Sequence, residues 1–192
     1  MEIMPQQSPV QSASNPAVDT REVKKLSFWI SQLFIVIATV LGVFLAANQG
    51  FKQAMAFENI RTERNNFYLR QSLKNEIADN IVLLKGYAEK ISSGRLSDRQ
   101  TPFKPDTFVW ESMKSSSATL EIPSELLAES RKFYRQAEDI QQKVATNVYT
   151  HERGIKMINE LTSHMESAVL PKFEENLLEL KGRLAKSGIN LD

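Results

Sequence analysis

The hydrophobic pattern begins with an unbroken apolar run. No charged residue occurs from Leu26 to Ala47. A helix of about 22 residues covers a hydrocarbon layer of roughly 30 Å, and a soluble core helix rarely stays apolar on every side for that length. Trp29 and Phe51 lie near the two ends, where aromatic side chains meet lipid headgroups. The run therefore predicts an N-terminal transmembrane helix over residues 26–47.

The segment before this run has a different composition. Residues 1–25 are rich in Pro, Ser, Gln and Asn and hold few apolar side chains, which predicts a disordered tail. The apolar run is longer than the usual signal-peptide core of about 7 to 15 residues. We therefore expect an uncleaved anchor rather than a secretion signal.

Beyond the run, apolar positions recur at intervals of three and four residues, and no segment alternates with period two. A first long helix is predicted to end at Ile91 and a short one to cover about Asp106–Lys114, with Ser115–Ile122 as a linker. The pattern predicts an all-α protein in which one N-terminal transmembrane helix is followed by an antiparallel helical bundle over residues 48–192.

Two later helices complete the predicted bundle. Pro123 begins a third helix with an apolar face, and Gly154 is predicted to interrupt that helix, which places His151 at its end. A fourth helix is predicted to kink or restart at Pro171 and then to present a rotated apolar stripe of Phe173, Leu177, Leu180 and Leu184. The apolar face of the third helix consists of Leu126, Phe133, Ala137, Ile140, Val144 and Val148.

Two polar residues interrupt the apolar face of the first helix, which consists of Leu69, Leu73, Ile77, Leu84, Tyr87 and Ile91. With Leu73 set to zero, Asn80 falls in the middle of that face and Glu76 lies about 60° to one side. In one interpretation Asn80 sets packing register against a neighbouring helix, Glu76 pairs with an Arg or Lys at the edge, and Asn80→Leu is neutral or stabilising. In the other, the pair binds a small ligand together with Tyr87 and Trp110. The first interpretation is favoured.

A face of small residues runs along the predicted span. The spacing is the small-xxx-small pattern that lets two membrane helices approach closely, although Ala and Gly are also common in spans by chance. This face predicts contact with a membrane protein partner or with a second copy of the chain. It consists of Ser31, Ile35, Ala38, Gly42 and Ala46.

Charge and residue usage narrow the function. The net charge is +1, from 24 basic and 23 acidic residues, with no separate basic block, so nucleic acid is not an expected partner. Cysteine is absent, and neither His151 nor His164 has an acid three residues before it. No catalytic, phosphate-binding or metal-binding motif is recognised. We expect no enzyme activity, no metal and no cofactor.

Three short motifs carry a family resemblance. The spacing L-x-x-E-I-x-x-N-x-x-x-L begins at Leu73 and is followed by FVWE at Phe108–Glu111 and FY at Phe133–Tyr134. Together they resemble a group of uncharacterised single-span bacterial membrane proteins. The resemblance covers roughly residues 69–140. It implies a bacterial helical domain behind an anchor and implies no activity.

Orientation and function follow as expectations. Lys24 and Lys25 precede the span and Lys52 follows it, a small bias toward a cytoplasmic N-terminus in a bacterial inner membrane with the C-terminal domain periplasmic. We expect a non-enzymatic accessory or structural subunit that binds a protein partner in a membrane-associated assembly. The alternative is an extracytoplasmic sensor or small-ligand-binding module that acts through a separate signalling partner.

Overall fold

A computed structural model describes residues 20–101 and 103–191, with side chains from Lys25 onward. Every regular segment in these ranges is helical, which confirms the all-α prediction. The segments are α1 (Thr20–Ile91), α2 (Leu96–Gln100), α3 (Phe108–Met113), a 3₁₀ helix (Ser117–Glu121), α4 (Ser124–Ala145), α5 (His151–His164), a π-helix (Met165–Val169) and α6 (Leu170–Lys186).

The chain divides into two compact units at Gln53 and Ala54. In the first unit α1 carries a long apolar segment, and by length and composition this helix is able to cross a membrane. Its apolar side chains are exposed. Of the predicted tail, residues 1–19 lie outside the described residues and residues 20–25 belong to α1.

The second unit has a continuous apolar core. The predicted face of α1 is buried in it, with Leu73, Ile77, Leu84 and Ile91 all at 0% exposure. The facing side chains come from α3, α4, α5, the π-helix and α6 and include Met113, Phe133, Ile158, Met165 and Phe173. A smaller cluster joins Phe67 of α1 to the C-terminal part of the unit through Leu177, Leu180, Leu184 and Leu191.

The connection between α4 and α5 differs from the prediction. The chain leaves α4 through Asn147, whose φ of 58° is left-handed, and Val148, predicted to continue the buried face, is exposed. Gly154 lies inside α5 and does not interrupt a helix. A Cβ at Gly154 would clash with Val144 Cγ2, so a larger residue here requires Val144 to move, and glycine permits the close approach of α5 to α4.

His151 consequently lies at the start of a helix rather than at the predicted helix end. It is the first residue of α5, after Thr150, whose hydroxyl accepts a bond from the Arg153 amide at 3.2 Å. The predicted position at a helix C-terminus was wrong, because the apolar spacing of α4 continues past the residue where the backbone turns. The second histidine, His164, is exposed, and its Nε2 lies 2.9 Å from Glu129 Oε2.

The expected irregularity at Pro171 takes the form of a π-helix. Pro171 lies in the first turn of α6, directly after the π-turn Met165–Val169. Proline has no amide proton, and its ring crowds the preceding turn. A π-turn is one way in which a helix accommodates a proline. The stripe after it, which contains Phe173 and Leu184, is buried as predicted.

Polar contacts connect α1 to the C-terminal helices at three levels. Glu63 pairs with Arg183 at 2.8 Å, Lys74 with Glu174 at 3.2 Å, and Lys85 with Glu166 at 2.6 Å. Partly exposed pairs of this kind each contribute little stability, so the apolar core provides most of it.

Candidate functional site

The carboxylate of Glu76 is buried, with 6% of the residue exposed, and points at the start of α3. It accepts hydrogen bonds from the amides of Val109 at 2.5 Å and Trp110 at 3.0 Å. These amides belong to the first turn of α3, where no intrahelical acceptor exists, and the side chain of the N-cap residue Thr107 makes no capping bond. Glu76 therefore caps α3 from a different helix.

Asn80 lies one turn further along α1 and is completely buried. Its Nδ2 donates to the Asp106 carbonyl at 2.6 Å, and its Oδ1 accepts from the Asp106 amide at 2.8 Å. Both the donor and the acceptor of the side chain are thus used on one backbone residue. The burial of Asn80 is as expected, but its partner is the segment that leads into α3 rather than a neighbouring helix.

Tyr134 of α4 completes this network. Its hydroxyl donates to Glu76 Oε1 at 2.6 Å, and its ring stacks on Trp110 at a centroid distance of 5.3 Å. Burial, and then the hydrogen bond to Glu76, raise the pKa of Tyr134 well above its ordinary value. The hydroxyl therefore stays protonated and continues to donate at neutral and moderately alkaline pH.

The prediction that Glu76 pairs with a cationic side chain was wrong. Among the described residues, no Lys or Arg forms an ion pair with it. Two amides and one hydroxyl satisfy the carboxylate instead, and the N-terminal end of α3 favours negative charge. Periodicity placed Glu76 near the interior but gave no information about which backbone would come to meet it.

The other two predicted residues lie on either side of this network. Trp110 is half-buried on the Tyr134 ring. Tyr87 is buried two turns beyond Asn80, where its hydroxyl donates to the Arg99 carbonyl at 3.3 Å and its ring lies 6.4 Å from that of Phe103. Glu76, Asn80 and Trp110 thus belong to one contact network, and Tyr87 holds the chain just before Asp106.

A second anchor, which the sequence interpretation missed, holds the end of the same segment. Arg70 of α1 is buried, its Nη1 donates to Asn176 Oδ1 at 2.6 Å, and its Nη2 donates to the Glu121 carbonyl at the end of the 3₁₀ helix. Burial is the main cause that lowers the pKa of Arg70, the nearby Arg183 lowers it further, and Glu121 partly offsets both. The helical angle of Arg70, about 60° from Leu73 on the side opposite Glu76, was the available signal.

Residues 106–121 are therefore held on α1 at both ends, and we call them the clamped segment. It presents two apolar side chains to solvent, Phe108 with 78% exposure and Leu120 with 87%. These are the highest exposures among the large apolar residues described in the second unit. Both side chains lie on a backbone whose two ends are held by hydrogen bonds to α1.

A groove runs between the clamped segment and α4. It has a volume of about 500 Å³, and its lining includes Phe103, Trp110, Tyr134, Arg131 and Arg135. An adjoining, mainly apolar groove of about 310 Å³ shares Trp110 and Arg131 and continues along Met113 and Leu127. We call the two together the Trp110 groove.

The small-residue face of the predicted span lies on α1 in the first unit. All five of its residues, Ser31, Ile35, Ala38, Gly42 and Ala46, are exposed in the described structure. Their contact with another membrane helix stays a prediction. In the part of the chain that the structure describes, no group of three or more His, Asp or Glu side chains is arranged to hold a metal ion.

Comparisons of the chain with protein-family models, with curated proteins and with solved structures found no match. The resemblance to single-span bacterial membrane proteins therefore stays a prediction.

Proposed function

We propose that the chain is a non-enzymatic accessory or structural subunit of a membrane-associated assembly, which binds a protein partner through the clamped segment. One observation carries the proposal. Phe108 and Leu120 are the most exposed large apolar side chains described in the second unit, and they lie on a backbone that α1 anchors at both ends. Anchoring lowers the entropic cost of binding, because the surface is ordered before the partner arrives.

The membrane part of the proposal rests on the first unit. Its apolar side chains are exposed over a length sufficient for a bilayer, and lipid is the environment in which such exposure is favourable. Lys24 and Lys25 before the span favour an N-terminus in the cytoplasm, which supports a helical domain in the periplasm of a bacterial inner membrane.

The proposed domain behind this anchor is an antiparallel helical bundle. Support comes from the order of the polar contacts along α1. As the α1 residue advances from Glu63 to Lys74 to Lys85, its partner moves back from Arg183 to Glu174 to Glu166. Contacts in this order are expected for two elements that run in opposite directions.

The use of the buried charged groups supports a structural rather than a catalytic role. The Glu76 carboxylate accepts hydrogen bonds from α3 amides and from Tyr134. The Arg70 guanidinium donates to a backbone carbonyl and to Asn176. Catalytic groups need an open position at which a substrate is reached. These two instead hold the clamped segment in place.

The first test is purification of the tagged full-length protein from its native membrane in mild detergent. We expect a stoichiometric protein partner that stays with the wild type and is lost from the double variant Phe108→Ser and Leu120→Ser. A matched control replaces two exposed apolar residues elsewhere, Val148→Ser and Leu178→Ser. Isolation of the protein without a partner, or equal retention by both double variants, contradicts the proposal.

The small-residue face is tested separately. Gly42→Ile places a branched side chain where two membrane helices are proposed to approach closely, and we expect loss of the membrane partner or of self-association. Unchanged association both in detergent and after cross-linking in membranes removes this face from the proposal.

A small-ligand sensor is the second candidate, and the Trp110 groove is the observation that favours it. Its larger part, with a volume of about 500 Å³, lies within the usual range for ligand pockets. The predicted ligand groups Asn80 and Tyr87 are buried and bonded within the chain, so a ligand would lie on the Trp110 side. Ligand-dependent thermal stabilisation that Trp110→Ala abolishes would favour this function.

A further inference from the structure

The Trp110 groove carries positive charge along one side. Arg131 and Arg135 lie one turn apart on α4 and are both exposed. Neither forms an ion pair with another described residue. Lys114, at the opposite side, is neutralised by Glu111 at 2.6 Å. Glu138, also on α4, is the remaining acid in the lining, so the two arginines outnumber this carboxylate.

A groove elsewhere on the domain has the opposite charge. It lies between the start of α4 and α6, and Glu125 in its lining is paired with Lys172. The remaining charged side chains of its lining are Glu175 and Glu179. The positive character of the Trp110 groove is therefore a local property, because the chain as a whole has a net charge of only +1.

The chemistry of the lining suits one class of occupant. Arginine forms bidentate hydrogen bonds to carboxylates. Trp, Tyr and Arg are the residue types that contribute most binding energy at protein interfaces. Trp110 is held from below by the Tyr134 ring and through its backbone by Glu76, so its position is set before binding. An apolar side chain flanked by acids would contact the rings and both arginines together.

We propose that the protein partner inserts an acidic segment into the Trp110 groove, where its carboxylates pair with Arg131 and Arg135 and an apolar side chain packs against Trp110. This proposal rests on the proposed function and specifies the chemistry of the partner. Phe108 and Leu120 then provide contact beside the groove, while the arginines select an acidic sequence.

The test uses photo-crosslinking in the full-length protein in its native membrane. Benzoylphenylalanine is placed at Thr107 or Gln141 in the groove lining, at Phe108 on the clamped segment, or at Val148 as an off-surface control. Mass spectrometry identifies the crosslinked peptide. We expect the groove positions to capture a segment of a different protein that contains at least two acidic residues.

Charge variants show whether the acids matter. Arg131→Glu with Arg135→Glu is expected to lower the groove crosslink about tenfold, the loss of roughly one well-formed charged contact. The matched control, Arg64→Glu with Arg95→Glu, reverses two exposed arginines outside the groove lining and is expected to leave the yield unchanged. If the double reversal prevents folding, as judged by circular dichroism, Arg131→Gln with Arg135→Gln replaces it.

Failure of this proposal is distinguishable from failure of the proposed function. A groove crosslink to lipid, to a second copy of the chain or to a neutral or basic segment overturns the acidic-segment proposal, and so does a yield that is insensitive to charge reversal. If Phe108 captures a protein while Thr107 and Gln141 capture none, the acidic segment is refuted and the proposed function stands. If no position captures a protein, both are refuted.

Discussion

The two anchors of the clamped segment use opposite charges at opposite ends. Glu76 places a carboxylate at the amides that begin α3, and Arg70 places a guanidinium at the carbonyl that ends the 3₁₀ helix. Each charge is opposite in sign to the partial charge of the free backbone groups at that end, so the two attract. One face of α1 therefore holds a short irregular segment by the same electrostatics that cap ordinary helices.

The two anchors differ in how completely their polar groups are satisfied. Glu76 accepts three hydrogen bonds, and Asn80 beside it uses both ends of its amide. At the other end, Arg70 Nε and Asn66 Oδ1 are buried with no hydrogen-bond partner among the described residues. The N-terminal anchor therefore contributes more stability, because each unpaired buried group offsets part of what the Arg70 bonds contribute.

The largest expected effect is at Glu76. Glu76→Ala leaves two α3 amides and the Tyr134 hydroxyl without their acceptor, which costs about 3 kcal/mol or more. Urea unfolding of the full-length protein in detergent measures this as a lower midpoint. Glu89→Ala, at an exposed position of the same helix, is the control. A loss equal to that of the control would show that Glu76 does not cap α3 in solution.

Asn80→Leu is expected to cost less, about 1 to 2 kcal/mol, because Asp106 is exposed and water replaces part of what its backbone loses. The sequence interpretation expected this substitution to be neutral or stabilising, and the bonds to Asp106 reverse that expectation. Asn75→Leu is the control, since Asn75 is an exposed residue of α1. The same urea midpoint, unchanged or raised for Asn80→Leu, restores the earlier interpretation.

Arg70→Met is expected to cost about 1 kcal/mol, the smallest loss among the three anchor residues. It removes two bonds but also removes a buried cation that carries an unpartnered Nε. Arg64→Met, at an exposed site on the same helix, is the control in the urea series. A loss as large as that of Glu76→Ala would contradict the difference between the two anchors.

Tyr134 predicts a small dependence of stability on alkaline pH. The pKa of its hydroxyl is raised in the folded state, so the unfolded chain releases this proton first, near the ordinary value of 10.0. Its contribution is complete below pH 10.0 and is lost as the pH rises above that value toward the folded pKa. The difference in unfolding free energy between wild type and Tyr134→Phe, measured from pH 9.0 to about 11, should shrink. A constant difference contradicts the shift.

Local patterns predicted the helices where burial follows one period. The buried face of α1 and the stripe after Pro171 were correct, because a helix that packs on one side repeats its apolar residues every three to four positions. The short helix predicted over about 106–114 is α3 at Phe108–Met113. The end of α4 was missed because Val148 continues the period after Asn147 has turned the backbone.

Two short elements were not predicted at all. The helix α2 lies in a polar stretch, and the 3₁₀ helix lies in what was predicted as a linker. None of their residues is buried, so neither leaves a periodic pattern to recognise. Tertiary contacts hold both elements, through the bond from Arg70 to Glu121 at the end of the 3₁₀ helix and the bond from Tyr87 to Arg99 in α2.

The sequence by itself determined the helical class, the apolar segment and the interior position of Asn80, since each depends only on spacing along one helix. Only the tertiary structure decided what the polar residues on α1 hold. Glu76 and Arg70 act on backbone groups 33 and 51 residues away along the chain. A backbone amide or carbonyl is present at every residue, so no sequence pattern identifies which one a buried side chain will meet.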